Sequence, residues 1–322
     1  DNLDGALVEL NQAFDACIKH ANDVHLSLSA GYDSRLLLAL CLSNGIKPTV
    51  SVMGNPKCTD VVIAKQICKH VGLSIEVIGL EENNYVSLGS KISKDTSGVK
   101  TACNWHTYIY SSGKDFSKGV HLVGSNGEFA RSFFFDLSKL DFISKRSPSY
   151  MMNVYWAARL GRRYYKFSAN NPLIRKSLRA PIDLAFGVTV RKYWGAMRFL
   201  PALDAFYAEQ RVRHFIGGGL ACYSTFGSPR SPFLDGNWIR AVAKLDRRFK
   251  QASYFHSSVT RLLCPALAHF NYNSLPDNSA GVSYNPFPKV VRSPLLTELL
   301  IESKYLDHWT TRQDRIKILQ DS

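Results

Sequence analysis

Ser29-Ala-Gly-Tyr-Asp-Ser34 places two hydroxyls, a carboxylate and a glycine within one short turn. A turn built from small residues aims backbone N–H groups at one spot, and the dipole of a following helix favours negative charge there. The chemistry this suits is binding of a phosphate or pyrophosphate. An ordinary strand-to-helix turn, with Ser34 as N-cap and Gly31 at a tight bend, is the plainer alternative. No Gly-Lys-Ser/Thr follows, so the loop is not of the Walker type, and the first half of the chain holds no Gly-x-Gly-x-x-Gly turn. Two further places carry reactive groups. Gly124-Ser-Asn-Gly-Glu128 with Arg131 offers a carboxylate and a guanidinium, and His256 is an imidazole able to move a proton near neutral pH.

The elements that must hold these groups follow from apolar periodicity and breaker residues. Residues 24–28 read as a buried strand, and 34–44 as a helix ended by Gly45 and Pro48. Strand 49–53, helix 59–71, Gly72 and strand 74–79 continue a regular alternation with short connections. Helices are expected around 81–94 and 103–112, then a strand at 120–123 ending at Gly124. Ahead of these, helix 3–20 carries an apolar stripe of Leu3, Ala6, Leu7, Leu10, Phe14, Cys17 and Ile18. The expected fold is α/β, a doubly wound and mostly parallel sheet, with a mainly helical C-terminal half. Loops interrupt that half around 170–172, 217–219, 227–236 and 271–288. We read 1–322 as a single domain, with a nucleotide-binding α/β core at 1–140 and a substrate or partner portion at 141–322. Ligands of such sheets bind beyond the carboxyl ends of the strands, which is where the loops after Leu28, Met53 and Val123 open.

The 29–34 loop resembles the pyrophosphate loop of the N-type ATP pyrophosphatases, usually Ser-Gly-Gly-x-Asp-Ser. Three more segments are similar to the synthetase domain of asparagine synthetase-like enzymes. They are Ser51-Val-Met-Gly54 followed by Asp60, Gly124-Ser-Asn-Gly-Glu128 with Arg131, and Arg230-Ser-Pro-Phe-Leu-Asp235. All four occur in family order over residues 24–235, with weaker similarity to about 280. The resemblance implies a ligase that adenylates a carboxylate with ATP, releases pyrophosphate, and passes the acyl group to a nitrogen nucleophile. It implies an ATP and pyrophosphate site at Ser29, Ala30, Gly31, Tyr32, Asp33, Ser34, Arg35, Val52, Met53, Gly54, Gly124 and Ser125. Ala30 and Gly31 would offer backbone N–H groups, and Ala30 in place of the usual glycine requires a negative φ there. Asp33 and Glu128 are the expected Mg²⁺ ligands, since that ion prefers oxygen and usually keeps waters and phosphate oxygens. Arg131 would neutralise a carboxylate or acyl-phosphate, and Asn104, Trp105 and His106 lie where the family places acceptor-pocket residues.

The chain departs from the family in two places. The glycine-acid loop is one residue shorter, with Ser125-Asn126 where its first acid would stand. In 254–261 the family's catalytic lysine falls on Ser257 if Arg261 is the family arginine, and Lys250 is too many turns away to replace it. His256, adjacent, is the remaining candidate catalytic group beside Asp33, Glu128 and Arg131. The substrate is therefore expected to be a carboxylate other than free aspartate. The alternatives are an RNA-modifying N-type pyrophosphatase and a non-catalytic nucleotide-binding subunit of a larger complex.

Composition bounds the partners. Hydrophobic residues make up 45% and charged residues 20%, as in globular proteins, and no apolar run reaches the ~20 residues of a membrane helix. Seven scattered cysteines without a Cys-x-x-Cys pair suggest reduced core thiols and a cytoplasmic protein. Formal net charge is +14, and residues 142–182 hold nine lysines and arginines with no acid. That stretch favours an acidic substrate or protein partner over nucleic acid. No glutaminase domain is expected in this chain, so a glutaminase is a further candidate partner.

Overall fold

A computed structural model describes residues 2–79, 83–100, 119–131, 199–224, 227–250 and 253–272, with positions 104, 184, 188, 192 and 193. Five strands form one all-parallel sheet: β1 (Asp23–Ser27), β2 (Thr49–Met53), β3 (Ile75–Ile78), β4 (Gly119–Leu122) and β5 (Pro229–Arg230). Their order is β3-β2-β1-β4-β5. β1 is therefore the switch strand, with the chain adding β2 and β3 on one side and β4 and β5 on the other. In such a sheet the ligand crevice lies at the carboxyl ends on either side of that reversal. The register levels those ends, because Ser27 sits opposite Ser51 and Leu26 opposite Leu122.

Helices flank the sheet. α1 (Asn2–Ile18) buries Ala6, Leu10 and Phe14 and packs along the helix Gly236–Ala243. Asp235 caps that second helix by accepting from the N–H groups of Asn237 and Trp238 at 2.7 and 3.1 Å, as the sequence pattern predicts. α2 (Tyr32–Ser43) is buried from Ser34 to Cys41 and packs along the helix Tyr254–Leu263. A helix enclosed all round needs apolar residues on every face, and Leu36–Leu40 supply them. α3 (Thr59–Val71) ends at Gly72 with φ 70°, whose left-handed turn lets Leu73 N–H donate to the Cys68 carbonyl. α4 (Asn83–Asp95) follows β3.

Three boundaries differ from expectation for physical reasons. α2 starts at Tyr32 rather than 34, because the Ser34 hydroxyl bonds back across the loop instead of capping the helix, and Gly31 takes the cap position. The loop expected at 217–219 is helical: Gly217 keeps φ −57° and ψ −42°, and the chain runs as helix from Phe199 to Ser224 with a π-helical middle at Tyr207–Ile216. Within the expected loop 227–236, Pro229–Arg230 pairs with His121–Leu122 as a short strand. Proline is tolerated there because a strand end at the sheet margin needs no second ladder donor. The helix expected at 103–112, the basic stretch 142–182, and most of the expected helical half lie outside the described residues.

Among the described residues no helix is long and apolar enough to cross a membrane. Cys41, Cys58, Cys68 and Cys222 are buried and Cys17 and Cys264 half-buried, all as free thiols. Burial pushes the Cys17, Cys58 and Cys68 thiols up to about 11 and Cys41 up to about 12, so these are inert packing groups.

Candidate functional site

The loop between β1 and α2 is tied down by its own short side chains. Ser34 Oγ accepts from the Ser29 N–H at 3.0 Å and lies 3.0 Å from Ser29 Oγ, which in turn accepts from the Gly31 N–H at 3.1 Å. The Ala30 N–H donates to buried Asp60 Oδ1 at 2.7 Å, so the first turn of α3 holds the loop from below. Ala30 meets the requirement of a negative φ, since positive φ outside glycine among the described residues falls only at Ser97, Asn126 and Ser253. The N–H groups of Ala30 and Gly31, expected to face phosphate, are thus engaged within the fold. The donors left at this spot by geometry are the first-turn N–H groups of α2, which has no side-chain cap.

A cleft of about 230 Å³ opens above this loop, lined by Ser27, Ser29, Gly31, Asp33 and Ser34 on one side, by Val52, Met53 and Gly124 across it, and closed by Tyr223. Gly54 continues from Met53 with φ 141°, a conformation that favours glycine, and its N–H bonds to the Ile78 carbonyl at 2.9 Å. On the cleft floor Ser27 Oγ lies 2.9 Å from His121 Nε2, two side chains on adjacent strands.

Asp33 is the centre of the polar cluster. The turn after β4 packs its backbone directly on it: a Cβ at Gly127 would sit 2.5 Å from Asp33 Cγ, and one at Gly124 would sit 3.1 Å from Asp33 Cβ. Arg131 Nη2 donates to Asp33 Oδ2 at 2.9 Å, and His256 Nε2 lies 2.9 Å from Oδ1 as a close charge contact rather than a well-aligned hydrogen bond. Glu128 accepts from the Tyr207 hydroxyl at 3.2 Å. Ser231 Oγ donates to the Ser125 carbonyl at 2.7 Å, so the 230–235 motif braces the turn, while Arg230 itself is exposed and bonds to Ser228.

Electrostatics separate the two carboxylates. Burial opposes the Asp33 charge, but Arg131 and then His256 outweigh it and hold Asp33 below the usual carboxylate range. Burial and the nearby Asp33 charge raise Glu128 instead. Burial also works against Arg131, yet Asp33 and Glu128 keep its proton more firmly than usual. His256 is fully buried and pushed down, toward the neutral ring. To face a carboxylate oxygen, its Nε2 must carry the ring proton, leaving Nδ1 as a buried acceptor without a partner among the described residues. Two neighbouring carboxylates driven apart in this way are suited to different roles, one a permanent anion and the other a proton carrier.

The structure thus brings together Asp33, Glu128, Arg131 and His256, and lines the cleft with Ser29, Gly31, Ser34, Val52, Met53 and Gly124. Arg35 is turned away from it. Its fully buried guanidinium donates to the carbonyls of Phe270, Asn271 and Ala30 at 2.6, 2.8 and 3.3 Å and lies 3.7 Å over the Tyr272 ring. Tyr32 stacks on the other partner of that pair, 4.0 Å from the Tyr272 centroid at 6°. Both residues therefore anchor the loop to 270–272. Ser257 Oγ donates to the Ser253 and Tyr254 carbonyls of its own helix, and Lys250 Nζ lies 3.6 Å from Asp204, so neither stands in for a site lysine. Asn104 is placed only as a backbone position, while Trp105 and His106 lie outside the described residues.

Carboxylate oxygens are the donors Mg²⁺ takes, but as arranged both Asp33 oxygens face nitrogen and Glu128 is biased toward its neutral form. Among the described residues no three His, Cys, Asp or Glu side chains converge as a metal cage. The donor set present therefore does not fit Mg²⁺ without rearrangement. Sequence reasoning missed Tyr207 and Tyr223. Both lie in the segment 199–224, where a four-residue spacing of Tyr207, Arg211 and Phe215 is the only trace of a shared face. No protein-family model matches the chain, and no curated protein matches it.

Proposed function

We propose that this chain is an ATP-dependent, AMP- and pyrophosphate-forming ligase that activates a carboxylate, other than free aspartate, for attack by a nitrogen nucleophile. The observation that carries this reading is the docking of the Gly124–Glu128 turn onto Asp33 at the switch point of a parallel sheet. It puts serine hydroxyls, an uncapped helix start, a fixed cation and two unlike carboxylates around one cleft.

In the proposed reaction a carboxylate oxygen attacks the α-phosphorus of ATP and the bond to pyrophosphate breaks. Ser29, Ser34 and the first turn of α2 would hold the departing anion, a purely electrostatic task. Arg131, kept charged and oriented by Asp33, would sit against the carboxylate undergoing adenylation. The nitrogen nucleophile then attacks the acyl carbon and AMP leaves. Glu128, raised toward neutrality and oriented by Tyr207, would take the proton the nitrogen releases, since a base works best when its pKa approaches the working pH.

ATP–pyrophosphate exchange across a panel of carboxylic acids tests the proposal, on the wild type and on Asp33→Asn. Exchange that requires one acid and is lost in Asp33→Asn supports it and names the substrate class. A second reading, nucleotide binding without ligation, is favoured by Ser257 bonding into its own helix with no lysine in its place. Asp33-dependent ATP binding without exchange for any acid would support that second reading. Absence of ATP binding would overturn both.

A further inference from the structure

The proposed ligase chemistry leaves one buried amine unused. After α4 the chain reverses through Ser97 and Gly98, at φ 52° and 78°, with the Gly98 N–H donating to the Ser93 carbonyl at 2.7 Å. Thr96 Oγ1 donates to the Ile92 carbonyl at 2.7 Å and accepts from the Lys100 N–H at 2.9 Å. This turn fixes Lys100 against the π-helical segment, and the residue is only 9% exposed. Its Nζ lies 3.3 Å over the centre of the Phe215 ring, and the Arg211 guanidinium carbon lies 4.9 Å from the same ring. Gly219 makes the space, because a Cβ there would come within 3.1 Å of Lys100 Cε and 3.4 Å of Nζ.

This is an unusual setting for a structural lysine. A buried ammonium is ordinarily paired with a carboxylate, yet no described acid contributes to the balance at Lys100 and its nearest charged neighbour is a second cation. Burial, and then repulsion by Arg211, bring the amine down to about 7. Desolvation beside another cation is a known way to make a lysine nucleophilic near neutral pH. Val99, the preceding residue, is 41% exposed, so the amine is buried one residue inside the surface.

We propose that Lys100 is a carbonyl-reactive amine, taking a small aldehyde or keto acid whose anionic group pairs with Arg211. The Nζ lone pair adds to the carbonyl carbon, the C=O bond is replaced by C=N, and the oxygen leaves as water with the two amine protons. No oxidant or reductant is consumed. The site is independent of the nucleotide cleft and needs no ATP.

The test uses glyoxylate as the probe, on the intact wild-type chain, with cyanoborohydride to trap the imine and peptide mass mapping to locate it. Lys100 is expected to be modified at least roughly tenfold faster at pH 7 than the exposed Lys47 and Lys57, with a rate that levels off above about pH 7. Modification of Lys100 no faster than those two lysines would overturn the proposal and leave it a buried structural cation. Formaldehyde, which has no anionic group, serves as the comparison probe. Arg211→Gln is expected to slow glyoxylate more than formaldehyde at Lys100, and equal slowing would overturn the role given to Arg211.

Discussion

Gly127 and Asp33, far apart in sequence, meet so closely that a single methyl group on the glycine would overlap the aspartate carboxyl. The turn after β4 and the loop after β1 are thereby one unit, and Gly127 is fixed by space rather than by a left-handed φ.

Gly127→Ala is therefore expected to destabilise the fold by about 1–3 kcal/mol, the usual cost of forcing a methyl into a closed site. It should also reduce any Asp33-dependent nucleotide binding. Gly5→Ala is the control: nothing lies within 4 Å of a Cβ there, and replacing glycine inside a helix should stabilise by roughly 0.5–1 kcal/mol. Denaturant unfolding of both variants measures the contrast.

Asp60→Ala removes the acceptor of a buried backbone N–H at Ala30. Leaving that donor unsatisfied should cost roughly 1–3 kcal/mol. Because Asp60 touches the loop from below, the nucleotide affinity measured by calorimetry should weaken while the cleft residues remain intact. Equal affinity in the variant would show that the loop holds its shape without this bond.

Asp33→Asn keeps the shape of the side chain and removes its charge, leaving partly buried Arg131 without its anion. Breaking such a pair costs at most about 3–5 kcal/mol when fully buried, and less here because Arg131 remains 27% accessible. The expected outcome is a folded but less stable chain with no detectable pyrophosphate exchange. Circular dichroism and the exchange assay together separate lost chemistry from lost fold.

Acid should weaken the fold in two overlapping stages. His256 is depressed below its ordinary 6.5, so its contribution is present above that value and is lost as pH falls through the folded pKa. Asp33, depressed below 3.8, behaves the same way at lower pH. Glu128 runs opposite, because a carboxyl raised above 4.5 favours the fold below that value and loses this advantage as pH rises. The midpoint of thermal unfolding should thus fall between about pH 6.5 and 5, and His256→Gln should flatten that part of the profile. An unchanged profile would mean that His256 titrates alike in both states.

Legibility in the sequence varied with how local the cause was. Thr59–Val71 was readable to the residue, because periodicity and the closing glycine act within a few positions. The start of α2 was placed two residues late because Ser34 resembles a cap, while its hydroxyl is spent on a bond to Ser29 that no local pattern reveals. β5 has only two residues, one of them proline, and exists because β4 offers an edge. At the candidate site the ionisable residues were readable from their types and spacing, and the structure gathers Asp33, Glu128, Arg131 and His256 at one place. Arg35 was read as part of the loop's ligand set, whereas its destination, Phe270 and Asn271, is set wholly by tertiary folding. Tyr207 escaped notice because its reach to Glu128 depends on a stretch of π-helix.

The Arg35 tether sets an order of assembly on the ribosome. The strand, loop and helix that carry Ser29 to Ser34 emerge early, but the carbonyl that Arg35 grips at Phe270 is 235 residues further on. At ordinary translation speeds that separation is on the order of ten to fifty seconds. During that interval a guanidinium destined for complete burial has no carbonyl to receive it, so the nascent core around α2 must stay hydrated and open. Closure then comes as a late, single event when Phe270 to Tyr272 arrive, which makes the newborn chain, and any product truncated before residue 270, a natural client for chaperones that hold unfinished helices.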